Sequence, residues 1–324
     1  GANTTGTTNT ALGYQSLTAN TTADNNTAIG NQTLASNTTG TKNVAVGGRS
    51  LYTNATTNNN VAIGYDALRL NTASNNTAVG TWALGTNSTG THNTALGQST
   101  LYENTTGDYN TAMGSGTLDH NTTGNANVAV GYNALTANTT AGANTAVGYE
   151  ALKTVTTNSN NTAFGYEALK VNTAASNTGL GAYAMQDNTT GTENTAIGSE
   201  SLVNNTTGAY STAVGKAALY SNTTGSCTAV GSYALYDNTT GVGNVAVGGW
   251  DGTTVSALRE NTTGSHNVAI GVGANESNET SNDNVAVGYK ALFANTASDT
   301  VGVGNSALGS NTTGLRNTAV GHRA

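Results

Sequence analysis

At 324 residues the chain has room for two ordinary domains, yet 42 residues are glycine, none is proline, 8% are charged and 6% aromatic. A net charge of −7, with the ten basic residues scattered, leaves no stripe to neutralise phosphates and argues against nucleic acid as a partner. No apolar run reaches the roughly 18 residues needed to span a membrane, and the single cysteine, Cys227, allows neither an internal disulfide nor a paired-thiol metal site.

The apolar residues recur in strict register. Counted from the Asn of Asn-Thr-Ala-Val-Gly, units begin at 9, 26, 43, 60, 76, 93, 110, 127, 144, 161, 177, 194, 211, 227, 244, 267, 284, 300 and 317. The spacing is 17, occasionally 16 and once 23, around the consensus N-T-A-V-G-Y-x-A-L-x-x-N-T-T-G-x-x. Helix-pair repeats need a longer period, whereas one coil of a solenoid fits. The expected fold is therefore all-β, a parallel β-solenoid (β-roll) of about nineteen 17-residue coils forming one repeat domain over 1–324. At about 4.8 Å per coil such an array would be a rod roughly 90 Å long, without a cleft of enzyme size.

Within each unit, positions 2 to 5 read as a short strand, because Thr and Val suit a pleated surface. Position 4 is always apolar, from Leu12 to Val320, with Phe164 the largest; position 3 is Ala except at Gly179 and Gly302; position 5 is always Gly. Alternation puts positions 2 and 4 on one face and 3 and 5 on the other. The larger residues of position 4 are expected inside with the Leu of position 9, leaving Ala-Gly as an outward stripe against which a neighbouring chain packs. On that reading Val147→Asp should disrupt the core, and Ala146→Leu should spare the coil but weaken association. Position 12 is Asn except at Val155 and opens an Asn-Thr-Thr-Gly turn. The asparagines of positions 1 and 12 are expected to form two axial hydrogen-bonded ladders, and the absence of proline fits a chain whose N–H groups are needed between coils.

Several departures from the consensus are candidate sites. Six extra residues interrupt the period, giving an inserted loop around 249–256; with Trp250 and Asp251 at its start it is the leading candidate for contact with a partner. Tyrosines recur at position 6, including Tyr149 and Tyr166, and exposed rows of this kind can stack on sugars or pack against a neighbour. Glu150 and Glu167 repeat one coil apart, each followed three residues later by a lysine, Lys153 and Lys170. A glycosidase pair is the sharper reading and a surface charge ladder the preferred one. Asn20, Asn37, Asn121, Asn188, Asn222, Asn238, Asn261 and Asn311 begin Asn-x-Thr sequons and are candidate glycosylation acceptors, although the turn already accounts for them. His92, His120, His266 and His322 are scattered, no acid recurs at a fixed place as a calcium-binding roll requires, and no glycine phrase sits between a strand and a helix. No catalytic residue, metal or cofactor is expected. Cys227 stands where other units have Asn or Ser and reads as a small ladder substituent.

The phrases Asn-Thr-Ala-Ile-Gly (26–30, 194–198) and Asn-Val-Ala-Val-Gly (43–47, 127–131, 244–248, 284–288) resemble the strand motif of YadA-type trimeric autotransporter adhesin heads. Gly-Tyr-Glu-Ala-Leu-Lys with Asn-Thr-Thr-Gly is similar to repeat regions of bacterial and phage tail-fibre-like proteins. The resemblance covers essentially the whole chain and implies a left-handed parallel β-roll, three chains side by side, on a cell or virion surface. The coils here are longer than the YadA type by the Asn-Thr-Thr-Gly turn. The chain starts and stops inside a repeat, which reads as a mature chain or a segment of a longer one. The function expected is a structural or adhesive extracellular fibre segment, a non-enzymatic rod whose partners are itself, as homotrimer or filament, and a host-surface glycan or protein. The alternative is an ice- or glycan-surface-binding solenoid using the threonines of positions 13 and 14.

Overall fold

A computed structural model describes residues 3–253 and 255–324; Gly1, Ala2 and, within the expected insertion, Thr254 lie outside them. The chain divides into two compact units, Gly1–Asn161 and Thr162–Ala324. Both are parallel β-solenoids built from the same coil, and no helix forms among the described residues. The first unit holds nine three-residue strands, from Thr10–Leu12 to Thr145–Val147, and the second holds ten, from Thr162–Phe164 to Thr318–Val320. Within each unit, neighbouring strands pair in parallel at equivalent repeat positions, as Thr10 with Thr27 and Leu12 with Ile29, or Thr195 with Thr212 and Ile197 with Val214.

Hydrogen bonds join successive coils all round the perimeter. At the strand, Thr27 N–H donates to the Asn43 carbonyl (2.9 Å) and Gly47 N–H to the Ile29 carbonyl (2.8 Å). Outside the strand, Leu34 N–H donates to Ser50 (3.1 Å) and Thr38 N–H to Ala55 (2.8 Å). A proline would delete one of these bonds almost anywhere, which explains its absence.

The interior reverses the expected facing of the strand. Ala28, Ala62, Ala95, Ala112 and Ala146 of position 3 are fully buried with the Leu column of position 9 (Leu34, Leu68, Leu101, Leu118, Leu152). Position 4 points outward: Ile63, Leu96 and Met113 in the first unit, and Ile197 and Ile270 in the second, are exposed. Space is the physical reason. A Cβ built on Gly179 would lie 3.2 Å from the Leu169 side chain, and one on Gly302 would lie 3.1 Å from Leu292 Cγ. The Leu column thus packs directly against the inner strand face, and a coil of this size has room there for a methyl group but not for Val or Ile. Position 5 shares neither face. Gly114, at φ +128°, ends its strand, and a Cβ would sit 2.5 Å from the Gly131 carbonyl oxygen of the next coil.

The substitutions that test the facing therefore exchange outcomes. Ala146→Leu should overpack the interior and destabilise the first unit by about 1–3 kcal/mol. Val147→Asp, on the half-buried outer side of the strand, should cost the fold of the single chain about 1 kcal/mol or less, the scale of strand preference. Urea melts of the two variants followed by circular dichroism measure the order; a milder effect at Ala146 than at Val147 would restore the original facing.

The Asn ladders form as expected and also close the coil. Asn37 Nδ2 donates to Asn20 Oδ1 of the preceding coil (3.1 Å) and to the Gly40 carbonyl of its own (3.0 Å). Asn26 Nδ2 reaches the same Gly40 carbonyl (2.8 Å), while its Oδ1 accepts from Asn43 N–H (3.0 Å). The two ladders thus converge on one turn carbonyl per coil and tie the turn to the strand entrance. Where Val155 replaces the Asn of position 12, the buried Asn138 Oδ1 is left without a hydrogen-bond partner.

Candidate functional site

The outer strand face is the most uniform surface of either unit. Its two columns contain only Thr and Val at position 2 and only Val, Ile, Leu, Met or Phe at position 4. Asn, Gly, Ser and charged residues, which fill most other outward positions, are absent from these strands apart from the inward Gly179 and Gly302. The in-register pairing stacks each side chain on its equivalent, as Leu96 on Met113 or Ile197 on Val214. Part of each β-branched side chain is covered this way, but Leu96, Met113, Ile197 and Ile270 still show 40–43% of their surface. The result is an uncharged stripe on each unit, one column of Thr and Val beside one of apolar side chains.

The acid and lysine pairs form ion pairs whose carboxylates are largely covered, Glu150 being buried and Glu167 half-buried. Lys153 Nζ lies 2.7 Å from Glu150 Oε1, and Lys170 Nζ lies 3.1 Å from Glu167 Oε1. Glu167 also accepts from Gln186 Nε2 at 2.6 Å. A similar set joins Asp66 to Arg49 (2.5 Å) and Arg69 (3.8 Å). Each carboxylate of the suspected glycosidase pair is thus held by a cation of its own coil. Among the described residues no group of three His, Cys, Asp or Glu side chains could hold a metal.

The aromatic rows form in part. In the first unit Tyr149 stacks on Tyr132 (5.5 Å between centroids) and His92 on Tyr109 (5.0 Å). In the second, Tyr166 meets Tyr183 edge-on (5.3 Å), and Tyr220 stacks on Tyr236 (5.0 Å). Trp250 meets Tyr233, 6.2 Å away and nearly perpendicular. Asp251 Oδ1 accepts from Thr253 N–H (2.9 Å) and Oγ1 (3.0 Å), so it shapes the loop. Tyr236 belongs to a recurring row of position-10 tyrosines, whereas Tyr233 and Arg259 around Trp250 were not singled out by the sequence. The signal available was their place, at positions 7 and 10 of the units flanking the insertion.

The sequon asparagines are not presented for modification. Asn20, Asn37, Asn121, Asn188, Asn222, Asn238 and Asn261 are buried in the position-12 ladder, and Asn311 is half-buried. Each Nδ2 is a donor, for example Asn121 to Asn104 Oδ1 (2.8 Å), Asn222 to Gly225 O (2.9 Å) and Asn311 to Asn295 Oδ1 (2.7 Å). A glycan on these amides would have to break the ladder.

Cys227 occupies the position-1 ladder, and its Sγ donates to the Gly241 carbonyl (3.1 Å). Burial pushes its pKa up to about 11, against the smaller opposing pull of hydrogen bonds from Asn244. The folded thiol should resist maleimide at neutral pH and react once unfolded, since the thiolate is the nucleophile. The raised value also means that the stability contributed by the neutral thiol is complete below its ordinary value of 9.0 and is lost between there and about 11. Rapid labelling of the native chain would contradict this placement.

No protein-family model matches the chain, and no curated protein matches it in sequence. Among the described residues no helix is long and apolar enough to cross a membrane.

Proposed function

We propose that this chain is a structural repeat segment that associates side by side with copies of itself through the outer face of its strands, as part of an extracellular fibre or adhesin at a cell or virion surface. The observation that carries the reading is the composition of that face. Every outward strand position is Thr or an apolar residue, and many remain exposed. Such a stripe, regular along each unit and free of charge, suits a flat dry contact with an equivalent stripe, and closed rotational symmetry is the usual outcome. The resemblance to trimeric adhesin heads agrees with a three-chain arrangement. A non-catalytic role fits the neutralised Glu150 and Glu167.

The ice- or glycan-surface-binding alternative keeps part of its basis, because the threonines of position 14, such as Thr39, Thr106 and Thr190, are exposed on the turn. The threonines of position 13 spend their hydroxyls inside the fold, as Thr38 Oγ1 donating to Ala55 O (3.1 Å) and Thr105 Oγ1 to Thr122 O (2.9 Å). The strand face offers hydroxyls in one column only, since position 4 has none.

Cysteine labelling tests the contact. In a Cys227→Ser background, a cysteine at Ile197, on the outer strand face, should react with maleimide much more slowly than one at Thr190, on the exposed turn. Equal rates would show the face uncovered and overturn the proposal.

A further inference from the structure

The inserted loop builds a notch that the strand-face reading does not use. The insertion is closed at its base by Ala257 N–H donating to the Gly248 carbonyl (3.0 Å), and Trp250 N–H is held by the Ser232 carbonyl (3.2 Å) of the preceding coil. Between loop and coil lies a cavity of about 320 Å³ lined by Tyr233, Trp250, Val255, Ser256 and Arg259. This volume is at the lower end for small-molecule sites. Two walls are aromatic faces at 85° to one another, Trp250 and Tyr233, and Tyr236 stands 5.6 Å behind Tyr233. Trp250 is 54% exposed, an unusual placement for the largest apolar side chain.

The polar groups at the rim are donors and acceptors with capacity to spare. The Arg259 guanidinium lies over the Tyr236 ring at 5.7 Å and makes no ion pair within 4.0 Å among the described residues. Its planar fork of N–H donors therefore retains bonding capacity. Ser256 Oγ donates to the Ser232 carbonyl (2.6 Å), which leaves its lone pairs to accept. Carboxylates cluster near this rim. Asp237 and Glu260 adjoin Tyr236 and Arg259 in sequence, and Glu276 feels both Glu260 and Arg259. They offset the cations Arg259, in the lining, and Lys216, 5.8 Å from the Tyr233 ring centre, so the notch carries no marked excess of positive charge to select an anion.

We propose that this notch binds a neutral pyranose unit of a polysaccharide. A pyranose has an apolar face of C–H bonds, weakly positive, which suits the negative face of Trp250 or Tyr233. It also has a rim of hydroxyls that can accept from Arg259 and donate to Ser256. A corner formed by two rings takes both features of one sugar at once, whereas a flat aromatic patch takes only the first. The site lies beside the turn that follows the strand Val245–Val247.

Trp82→Phe leaves Trp250 as the only tryptophan, making fluorescence a local probe. Cellotriose, maltotriose and chitotriose are titrated separately into this protein, with saturation-transfer NMR in parallel. At least one should quench Trp250 saturably with a Kd of about 1 mM. By NMR, Trp250→Ala should weaken that binding roughly tenfold, and Trp250→Phe, which keeps a ring, should fall between. Trigalacturonic acid should bind more weakly than the best neutral sugar. The proposal is overturned if no neutral trisaccharide binds at about 10 mM, if Trp250→Ala leaves binding unchanged, or if the acidic sugar binds best.

Discussion

Asn104→Ala should destabilise the first unit by about 3–5 kcal/mol, a large fraction of the stability of an ordinary domain. Asn104 Nδ2 donates to Asn87 Oδ1 (2.7 Å) and to Gly107 O (3.0 Å), and its own Oδ1 accepts from Asn121 Nδ2 (2.8 Å). All of these groups lie in the buried interior, where water cannot replace a lost partner. Removing the side chain orphans Asn87 Oδ1, withdraws one acceptor from Asn121 Nδ2 and opens a cavity, at about 1–3 kcal/mol for each unsatisfied buried group. The Gly107 carbonyl is protected, because Asn93 Nδ2 still reaches it at 2.7 Å. Repeat arrays transmit damage mainly to neighbouring units, so amide exchange should accelerate most around coils 87–121. Urea unfolding gives the magnitude and exchange the location; a loss below about 1 kcal/mol would mean that the ladder contributes little beyond turn geometry.

The reverse substitution should stabilise the second unit. Asn275 stands at position 9, in a column otherwise filled by Leu and one Met, and is fully buried. Neither its Nδ2 nor its Oδ1 has a hydrogen-bond partner. Asn275→Leu keeps the same branched skeleton with larger end groups, continues the column between Leu258 and Leu292, and removes two unsatisfied polar atoms. The backbone there, at φ +50°, suits Asn better than Leu, which offsets part of the gain. The net expectation is a gain of about 2–4 kcal/mol, read as a higher urea midpoint with an unchanged slope. A lower midpoint would mean that the amide is satisfied by water or by a neighbour in solution.

The coil was legible because its strongest signals are periodic. The 17-residue spacing, the invariant position-5 Gly, the Leu column and the Asn of positions 1 and 12 each correspond to a feature of the fold. The facing of the strand was not legible from alternation alone. Alternation separates Ala28 from Ile29 but does not say which is inside, and hydrophobicity chose the larger residue. The deciding quantity is the cross-section of the coil, set by the direct packing of Leu169 and Leu292 on the inner face. The left-handed backbone at Leu34, Leu118 and Leu202, with φ of +48° to +54°, was equally hidden. Leucine gives no sequence cue for positive φ, and the conformation is imposed by inter-coil hydrogen bonds such as Leu118 N–H to Ala134 O (3.1 Å). The Trp250 notch was half legible. The broken period marked the loop, but its partners Tyr233 and Arg259 are adjacent to it only through the stacking of coils.

Light scattering should give the native chain a mass that is a multiple of 32.3 kDa. A Leu96→Asp, Met113→Asp variant, charged in the middle of the first unit's outer face, should return 32.3 kDa with its β-sheet circular dichroism intact. A native mass of one chain, or a variant that folds and still assembles, would contradict association through the strand face.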